Sequence, residues 1–397
     1  MVDLAGDTNR VEATSPLRLL VCGAGIGGLT AAIALRQQGH HVTMLEKSKL
    51  AAEVGAAIHL APNCTAVLNQ LGVFPEHFGG TLTRKMIALT KDGHVMHIQD
   101  YDAVRNNWKS EWYTVLRADL HTALKRKATS LEGSGPPVTI YTSSTVTKVD
   151  CMQSSVALED GRVFSGDAVI CAEGVHSATR VKIFGGEYKP FKVGKSCFRW
   201  LLPKEKLNDH LTAKYCDQPG ELLQFSAEDR RFVMYPCSDN TVLNFGAFVP
   251  SEEVATDNDL VNNWNSHVDK KSLLRAFADF EPGVRRMCEL ADETSLMCWE
   301  MLDMPVMSRW TLGHVAVLGD AAHPFMPYMG QGGSMAIEDA ASLSVVLHKG
   351  TKPSHVQDRL RIYEKCRKER ADRIQDFTRR IGRDFNDPKS PRPTRMF

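Results

Sequence analysis

Three glycines and one carboxylate pose the first chemical question in this chain. Gly23, Gly25 and Gly28 stand in the spacing G-x-G-x-x-G, and Glu46 follows 18 positions after Gly28. The apolar run Leu19-Leu20-Val21-Cys22 precedes the glycines. A helical pattern from about Gly27 to Gln38 follows and stops at Gly39. A second strand-like run, Val42 to Leu45, ends on Glu46. Each residue type has a task in such a unit. Gly23 permits the tight turn, Gly25 lets the backbone approach a pyrophosphate, and Gly28 lets the helix pack closely on the strand. The free N–H groups and positive dipole end of that helix favour phosphate charge. Glu46 is placed to accept hydrogen bonds from the ribose hydroxyls of an adenosine. Three glycines alone can mark only a turn, but the strand, helix and acid at these distances make the unit a dinucleotide site.

Two later segments also put small residues and an acid at the end of a strand: Glu173-Gly174 with Arg180, and Gly319-Asp320 through Gly333. Strand ends converge at the ligand crevice of an open α/β sheet. One dinucleotide can therefore use all three segments, with pyrophosphate at the first, ribose at Glu46, and ribityl chain and ring at the last.

The elements that must position these loops read as two interleaved units. The expected fold class is α/β: a Rossmann-like dinucleotide-binding domain interleaved with a mostly antiparallel β-sheet substrate domain, plus a C-terminal helix. The expected boundaries are 17–80, 111–189 and 297–350 for the first domain and 81–110 and 190–296 for the second. The helix is expected over 351–382, with flexible ends at 1–16 and 383–397. Val138 to Val169 reads as a small β-meander. Phe198–Leu202, Leu222–Phe225, Arg231–Tyr235 and Val242–Phe245 read as strands of the second sheet, with a helix over Asp259–Phe280 beside them.

At 397 residues, two or three domains are expected. Lys+Arg 48 against Asp+Glu 47 leaves a net charge of +1, which argues against nucleic acid as a partner. No apolar stretch approaches the roughly 20 residues needed to span a bilayer. The 10 cysteines contain no C-x-x-C pair, so free thiols in a reducing compartment are expected rather than disulfides or a metal site. The composition reads as a soluble, intracellular, cytoplasmic protein, and the oligomeric state is left open.

With these motifs in order, the sequence resembles the single-component FAD-dependent aromatic hydroxylases of the salicylate hydroxylase and para-hydroxybenzoate hydroxylase type. Gly23–Gly28, the run Cys171-Ala172-Glu173-Gly174-Val175-His176-Ser177-Ala178-Thr179-Arg180, and the long run Gly319 to Gly333 carry the resemblance, which covers roughly Leu17 to Arg370. Gly-Ala-x-Ile-His at Gly55–His59 and Met-Ala-Ile-Glu-Asp-Ala-Ala at Met335–Ala341 are similar to the 6-hydroxynicotinate monooxygenase type.

The resemblance implies bound FAD, NADH or NADPH as a transient reductant without its own Rossmann domain, O2, and a small aromatic or heteroaromatic substrate of the phenol, hydroxybenzoate or hydroxypyridine type. Oxygen transfer would pass through a flavin C4a-hydroperoxide. Glu46 would hold the adenosine ribose, Arg117 the FAD chain, and Asp320 the ribityl hydroxyls or pyrophosphate. Ala57 and the Gly332-Gly333 turn would pass their backbone close to the isoalloxazine. Pro324 and Pro327 would shape the wall beside it, with His323 as a structural hydrogen-bonder.

On the substrate side, Arg199 would face a carboxylate or phenolate, and Tyr235 would touch the substrate hydroxyl and relay its proton together with His59. The bland alternatives are a surface Arg, a buried Tyr with a satisfied hydroxyl, and a loop His. Two departures stand out: Glu173 where the family has Asp, and Ala57 where relatives usually carry Gly. Arg231 stands where the nicotinate-type relatives carry His. The competing functions are an FAD-binding protein without hydroxylase activity, such as a redox sensor, and an NAD-dependent dehydrogenase. The latter leaves Gly319–Gly333 unexplained.

Overall fold

The computed structural model describes residues 15–50, 56–254 and 269–384. Most of the lead-in before Pro16, Gly55, the expected helix up to residue 268 and most of the tail after 383 lie outside the described residues. In the first half of the chain the elements are β1 (Arg18–Cys22), α1 (Ile26–Gln37), β2 (His41–Leu45), β3 (Ala57–Leu60), α2 (Pro62–Gln70), β4 (Thr81–Leu82), β5 (Lys85–Thr90), β6 (Val95–Asp100), β7 (Tyr113–Leu116) and α3 (Arg117–Thr129). There follow β8 (Thr139–Tyr141), β9 (Val146–Asp150), β10 (Ser155–Leu158), β11 (Val163–Ser165), β12 (Ala168–Cys171), α4 (Ala178–Phe184) and β13 (Phe191–Pro203). The remainder comprises β14 (Glu221–Ser226), β15 (Arg231–Cys237), β16 (Val242–Pro250), α5 (Lys270–Ala276), α6 (Pro282–Glu289), β17 (Met297–Asp303), β18 (Thr311–Leu312), β19 (Val315–Val317), α7 (Gly332–Val346) and α8 (Val356–Ile381).

Apolar runs without alternation make the first sheet, because its strands are buried on both faces: helices such as α1 pack on it, and Val146, Val156 and Leu158 of the β9–β11 region join the same core. Its order is β18-β19-β12-β1-β2-β8, with β1 parallel to β2 and β12, and β12 parallel to β19. Register explains why three distant motifs meet: Cys22 pairs with Cys171, and Cys171 with Val317. The loops that begin at Gly23, Ala172 and Leu318 therefore leave neighbouring strands at one level of the sheet.

Alternation governs the second sheet, ordered β17-β13-β16-β15-β14-β5-β6. Phe198, Trp200, Phe232, Met234 and Phe245 point to one face and form a core with Leu273, Phe277, Val284 and Met287 of α5, α6 and their connection. Arg199, Val233 and Tyr235 consequently point to the other face, which is open. The helical pattern before Phe280 resumes as α6 beyond Glu281, with Pro282 at the start of α6, where a missing N–H costs nothing.

One expectation is corrected. Thr139–Tyr141 is not part of an antiparallel meander; β8 pairs parallel with β2 at the edge of the first sheet, through Met44 and Ile140. A three-residue strand has no periodicity from which to read its partner. The antiparallel three-stranded unit is β11-β10-β9.

The charged α8 buries one stripe, including Leu360, Tyr363, Arg367, Ala371, Gln375 and Thr378, at helical spacing. Its polar side chains grip the third motif. Arg367 donates to Asp339, Gln375 to the carbonyl of Pro324, and Thr378 to the carbonyl of Met326. Among the described residues, no helix is long and apolar enough to cross a membrane.

Candidate active site

A cavity of about 700 Å³ lies between the two sheets. The first sheet contributes two helix N-termini to it. α1 begins after Gly25 and α7 after Gln331; neither has a side-chain cap or an acid in its first turn, so both present unpaired N–H groups and positive dipole ends. Gly25, Gly332 and Gly333 line the cavity.

The three motif glycines differ in what surrounds them. Gly23 has φ +101°, and a side chain there would meet the carbonyl oxygen of Ala172 at 2.4 Å. A Cβ on Gly28 would lie 2.1 Å from the carbonyl oxygen of Gly23, whereas one on Gly25 would meet no protein atom within 4 Å. Gly28 thus closes the turn on itself, and Gly25 leaves open space in front of the α1 amides. Gly27, which the motif reading passed over, lets α1 approach α7: its Cβ would lie 2.7 Å from Leu318 and 3.1 Å from Ala336.

Glu46 is buried at the end of β2. Its two carboxylate oxygens accept the N–H groups of Ala24 and Ser48, both at 2.7 Å. The carboxylate fixes the turn between β1 and α1, and its remaining lone pairs can accept further donors.

Arg180 joins the second motif to the third. It is fully buried and donates to the carbonyls of Val175, Tyr188 and Ala321, while burial lowers its pKa to about 10. Glu173 accepts the Ser177 hydroxyl at 2.6 Å, and Ser177 caps α4.

Asp320 faces the cavity. Removal from bulk water raises its carboxyl above the ordinary range, against the pull of His323, Arg117 and Arg180. Arg117 opens α3 and also lines the cavity. His323 does not line it: its Nε2 contacts Asp339 at 2.6 Å in the core. Burial alone would raise the Asp339 carboxyl, but His323 and Arg367 outweigh it and hold it low. Pro327 lines the cavity, and Pro324 instead offers its carbonyl to α8.

The second sheet brings Arg199 and Tyr235, and β3 brings His59 and Ala57, to the same cavity. The Tyr235 hydroxyl donates to the carbonyl of Ala57 at 2.9 Å, and the side chain of Asn244 accepts the Ala57 N–H at 2.9 Å. Tyr235 and Asn244 are cross-strand partners, so this pair replaces the neighbour that the outer edge of β3 lacks. Burial raises the Tyr235 hydroxyl above its usual pKa.

The His59 ring lies 4.4 Å from the Tyr235 ring, centroid to centroid, and its Nδ1 accepts the Trp112 indole N–H at 3.3 Å. Burial and then the nearby Arg199 lower its pKa to about 4, so His59 is neutral near pH 7 and carries its proton on Nε2. The Arg199 guanidinium stacks on Trp299 at 5.0 Å, and its Nε is buried without a hydrogen-bond partner.

Tyr235 has committed its proton to Ala57, and His59 Nδ1 is already an acceptor. What they offer a substrate is a lone pair on the Tyr235 oxygen and an Nε2–H on His59.

Arg231 also lines the cavity. It lies over the Tyr328 ring at 4.9 Å and donates to the carbonyls of Ile381 and Arg383, pinning the end of α8 as a wall. Sequence reasoning missed Asn244, Trp112 and the wall made by Ile381. For Asn244 a signal existed: it is the one polar side chain in the apolar run Val242–Val249. For the others the sequence held none.

The chain matches the family described as FAD binding domain over residues 17–378. It is 34% identical to hispidin-3-hydroxylase of Neonothopanus nambi over 369 residues, covering 90% of this chain and 86% of that protein. It is 32% identical to the FAD-dependent monooxygenase cfoG of Aspergillus candidus, covering 92% and 85%. Its fold is similar to that of Klebsiella pneumoniae HpxO complexed with FAD and uric acid, with a TM-score of 0.77, 26% identity and coverage of 95% and 90%.

Proposed function

This chain belongs to the FAD-binding family of FAD-dependent monooxygenases, and from that premise we propose that it hydroxylates an aromatic or heteroaromatic ring bearing an ionisable hydroxyl, with NADH or NADPH as reductant and O2 as oxidant. The observation that carries this reading is the meeting of Arg199, Tyr235 and His59 in the cavity that the α1 and α7 N-termini also enter. FAD would be held by the α1 and α7 N-termini and would supply the redox chemistry, in which two electrons from the nicotinamide let one oxygen atom of O2 enter the ring while the other leaves as water.

The protein's share is electrostatic and steric. Arg199 and the His59 Nε2–H favour the substrate oxygen as an anion, which makes the ring carbons beside it nucleophilic. The Tyr235 oxygen, its own proton held by Ala57, accepts from the hydroxyl before ionisation and so orients it. Ile58, Val233, Phe248, Phe325 and Pro327 keep the reacting end apolar and limit water there. Ala57, held at both N–H and C=O, and the α7 N-terminus fix the face against which the flavin ring would rest. The nicotinamide would dock transiently, because the chain has one dinucleotide fingerprint.

The test is anaerobic stopped-flow reduction of the FAD-loaded protein by NADH and by NADPH, with and without phenols, hydroxybenzoates and hydroxypyridines. The expected result is ligand-accelerated bleaching, followed on admission of isotope-labelled O2 by a product carrying one labelled oxygen. FAD that resists both nicotinamides with every ligand would overturn the reading in favour of a non-catalytic flavoprotein.

A further inference from the structure

The open face of the second sheet reaches far beyond the reacting residues. Arg199 pairs with Gly246, Gly246 with Val233, Val233 with Gln224, Gln224 with Ala88, and Ala88 with His97. Directly paired residues share a face, and all six line the one cavity. This single cross-strand row crosses β13, β16, β15, β14, β5 and β6. With neighbouring strands about 4.8 Å apart, the five steps make a floor about 24 Å long. A single ring of the benzoate kind spans no more than about two of those steps. A second row runs parallel to it, with Met86 paired to both Leu222 and Gln99.

The floor is uneven in a useful way. A Cβ on Gly246 would meet nothing closer than 3.6 Å, so packing does not require glycine there; its effect is to leave room beside Arg199. Ala88 leaves a second depression, and Val233 and Gln224 stand between the two. Over the outer half the lining changes character. Among the described residues, β14, β5 and β6 contribute no Lys, Arg, Asp or Glu to it, only apolar, amide and imidazole groups. Tyr101 and Trp112, 4.9 Å apart, add aromatic surface to the lining. The Gln99 and Gln224 amides each offer a donor and an acceptor, which suits an uncharged hydroxyl or carbonyl.

We propose that the substrate is an elongated arene. Its hydroxyl-bearing ring lies beside Arg199, and a second planar portion lies over Gln224 and Ala88, ending in an uncharged hydrogen-bonding group. This rests on the hydroxylase reading above and adds the substrate's length and the polarity of its far end.

The test uses the FAD-loaded protein and titrates phenol, para-hydroxybenzoate, para-hydroxybiphenyl and para,para-dihydroxystilbene, following the flavin absorbance change and the rate of reduction by NAD(P)H. Burial of a second ring should make dihydroxystilbene bind at least about tenfold more tightly than phenol. Ala88→Phe, which fills the outer depression, should erase that advantage. Gln224→Leu, a change of similar size that serves if Ala88→Phe does not fold, should weaken dihydroxystilbene more than hydroxybiphenyl. Equal affinity for the one-ring and two-ring compounds would overturn the proposal. So would variants that weaken both alike, since the outer floor would then be only an access route. If no compound perturbs the flavin or speeds its reduction, the hydroxylase reading itself falls and takes this proposal with it.

Discussion

The indole N–H of Trp112 donates to Nδ1 of His59, and this contact decides which imidazole nitrogen carries the proton. With Nδ1 occupied and the ring neutral, the side chain meets the cavity as a donor rather than a base. Trp112→Phe removes the lock at the cost of one hydrogen bond, about 1 kcal/mol. The expected outcome is a bound phenol whose pKa rises by up to about one unit, because 1.4 kcal/mol corresponds to one unit. A pH titration of the phenolate absorbance in the complex measures it; an unchanged value would remove His59 from the stabilisation of the anion.

His59 also gives protein stability a pH dependence of known sign. Its pKa falls from the ordinary 6.5 to about 4 on folding, so between those values the unfolded chain binds more protons. Stability should therefore decline as pH drops from 6.5 towards 4, with a slope of at most about 1.4 kcal/mol per unit from this group. The slope should shrink in His59→Gln. Denaturant melts of the apoprotein across that range decide the matter.

Arg199 brings charge and planarity together. Arg199→Met should raise the His59 pKa, since the guanidinium is one of the two causes of its depression. It should also weaken phenolate binding about 10- to 100-fold, as expected for a hydrogen bond to a charged group. Arg199→Lys keeps the charge but loses the flat stack on Trp299, and should fall between the two. Ligand titrations and an NMR titration of His59 report the two effects separately.

Two glycines of the first motif should respond in opposite ways. Gly28→Ala places a methyl 2.1 Å from the Gly23 carbonyl oxygen, so the turn must shift and the apoprotein should lose several degrees of Tm. Gly25→Ala meets no protein atom within 4 Å, at an ordinary φ of −73°, and should leave the apoprotein Tm nearly unchanged. Its methyl would stand where the phosphates approach, so FAD affinity should fall at least about tenfold. Thermal melts of apoprotein and FAD titrations separate the two.

Tyr235 and Asn244 hold opposite polar groups of Ala57. Tyr235→Phe should cost about 1 kcal/mol of stability, and Asn244→Leu about 1–3 kcal/mol, because it also strands a buried N–H. Both should alter the visible circular dichroism of bound FAD, as the backbone beside the ring is released. The double variant should show coupling, since the two side chains act on one residue.

The strand, glycine turn and helix around Gly23 to Gly28 were legible in the sequence because most of their logic is local. Gly28 must be glycine because of the Gly23 carbonyl five residues before it, and Gly23 because the turn takes φ +101°; the strand and helix that flank them carry their own periodicity. Alternation around Arg199 likewise separated the side chains of the Phe198–Trp200 core from those of the open face. Tertiary structure alone decided what those faces meet. β8 joined the parallel sheet, Asn244 and Tyr235 docked on Ala57, α8 clamped the third motif, and one row of cross-strand partners extended the cavity from Arg199 to His97. Each is a pairing between segments far apart in the chain, set by register and by the sum of many weak contacts. No short stretch of sequence contains both partners, so none can specify the pair.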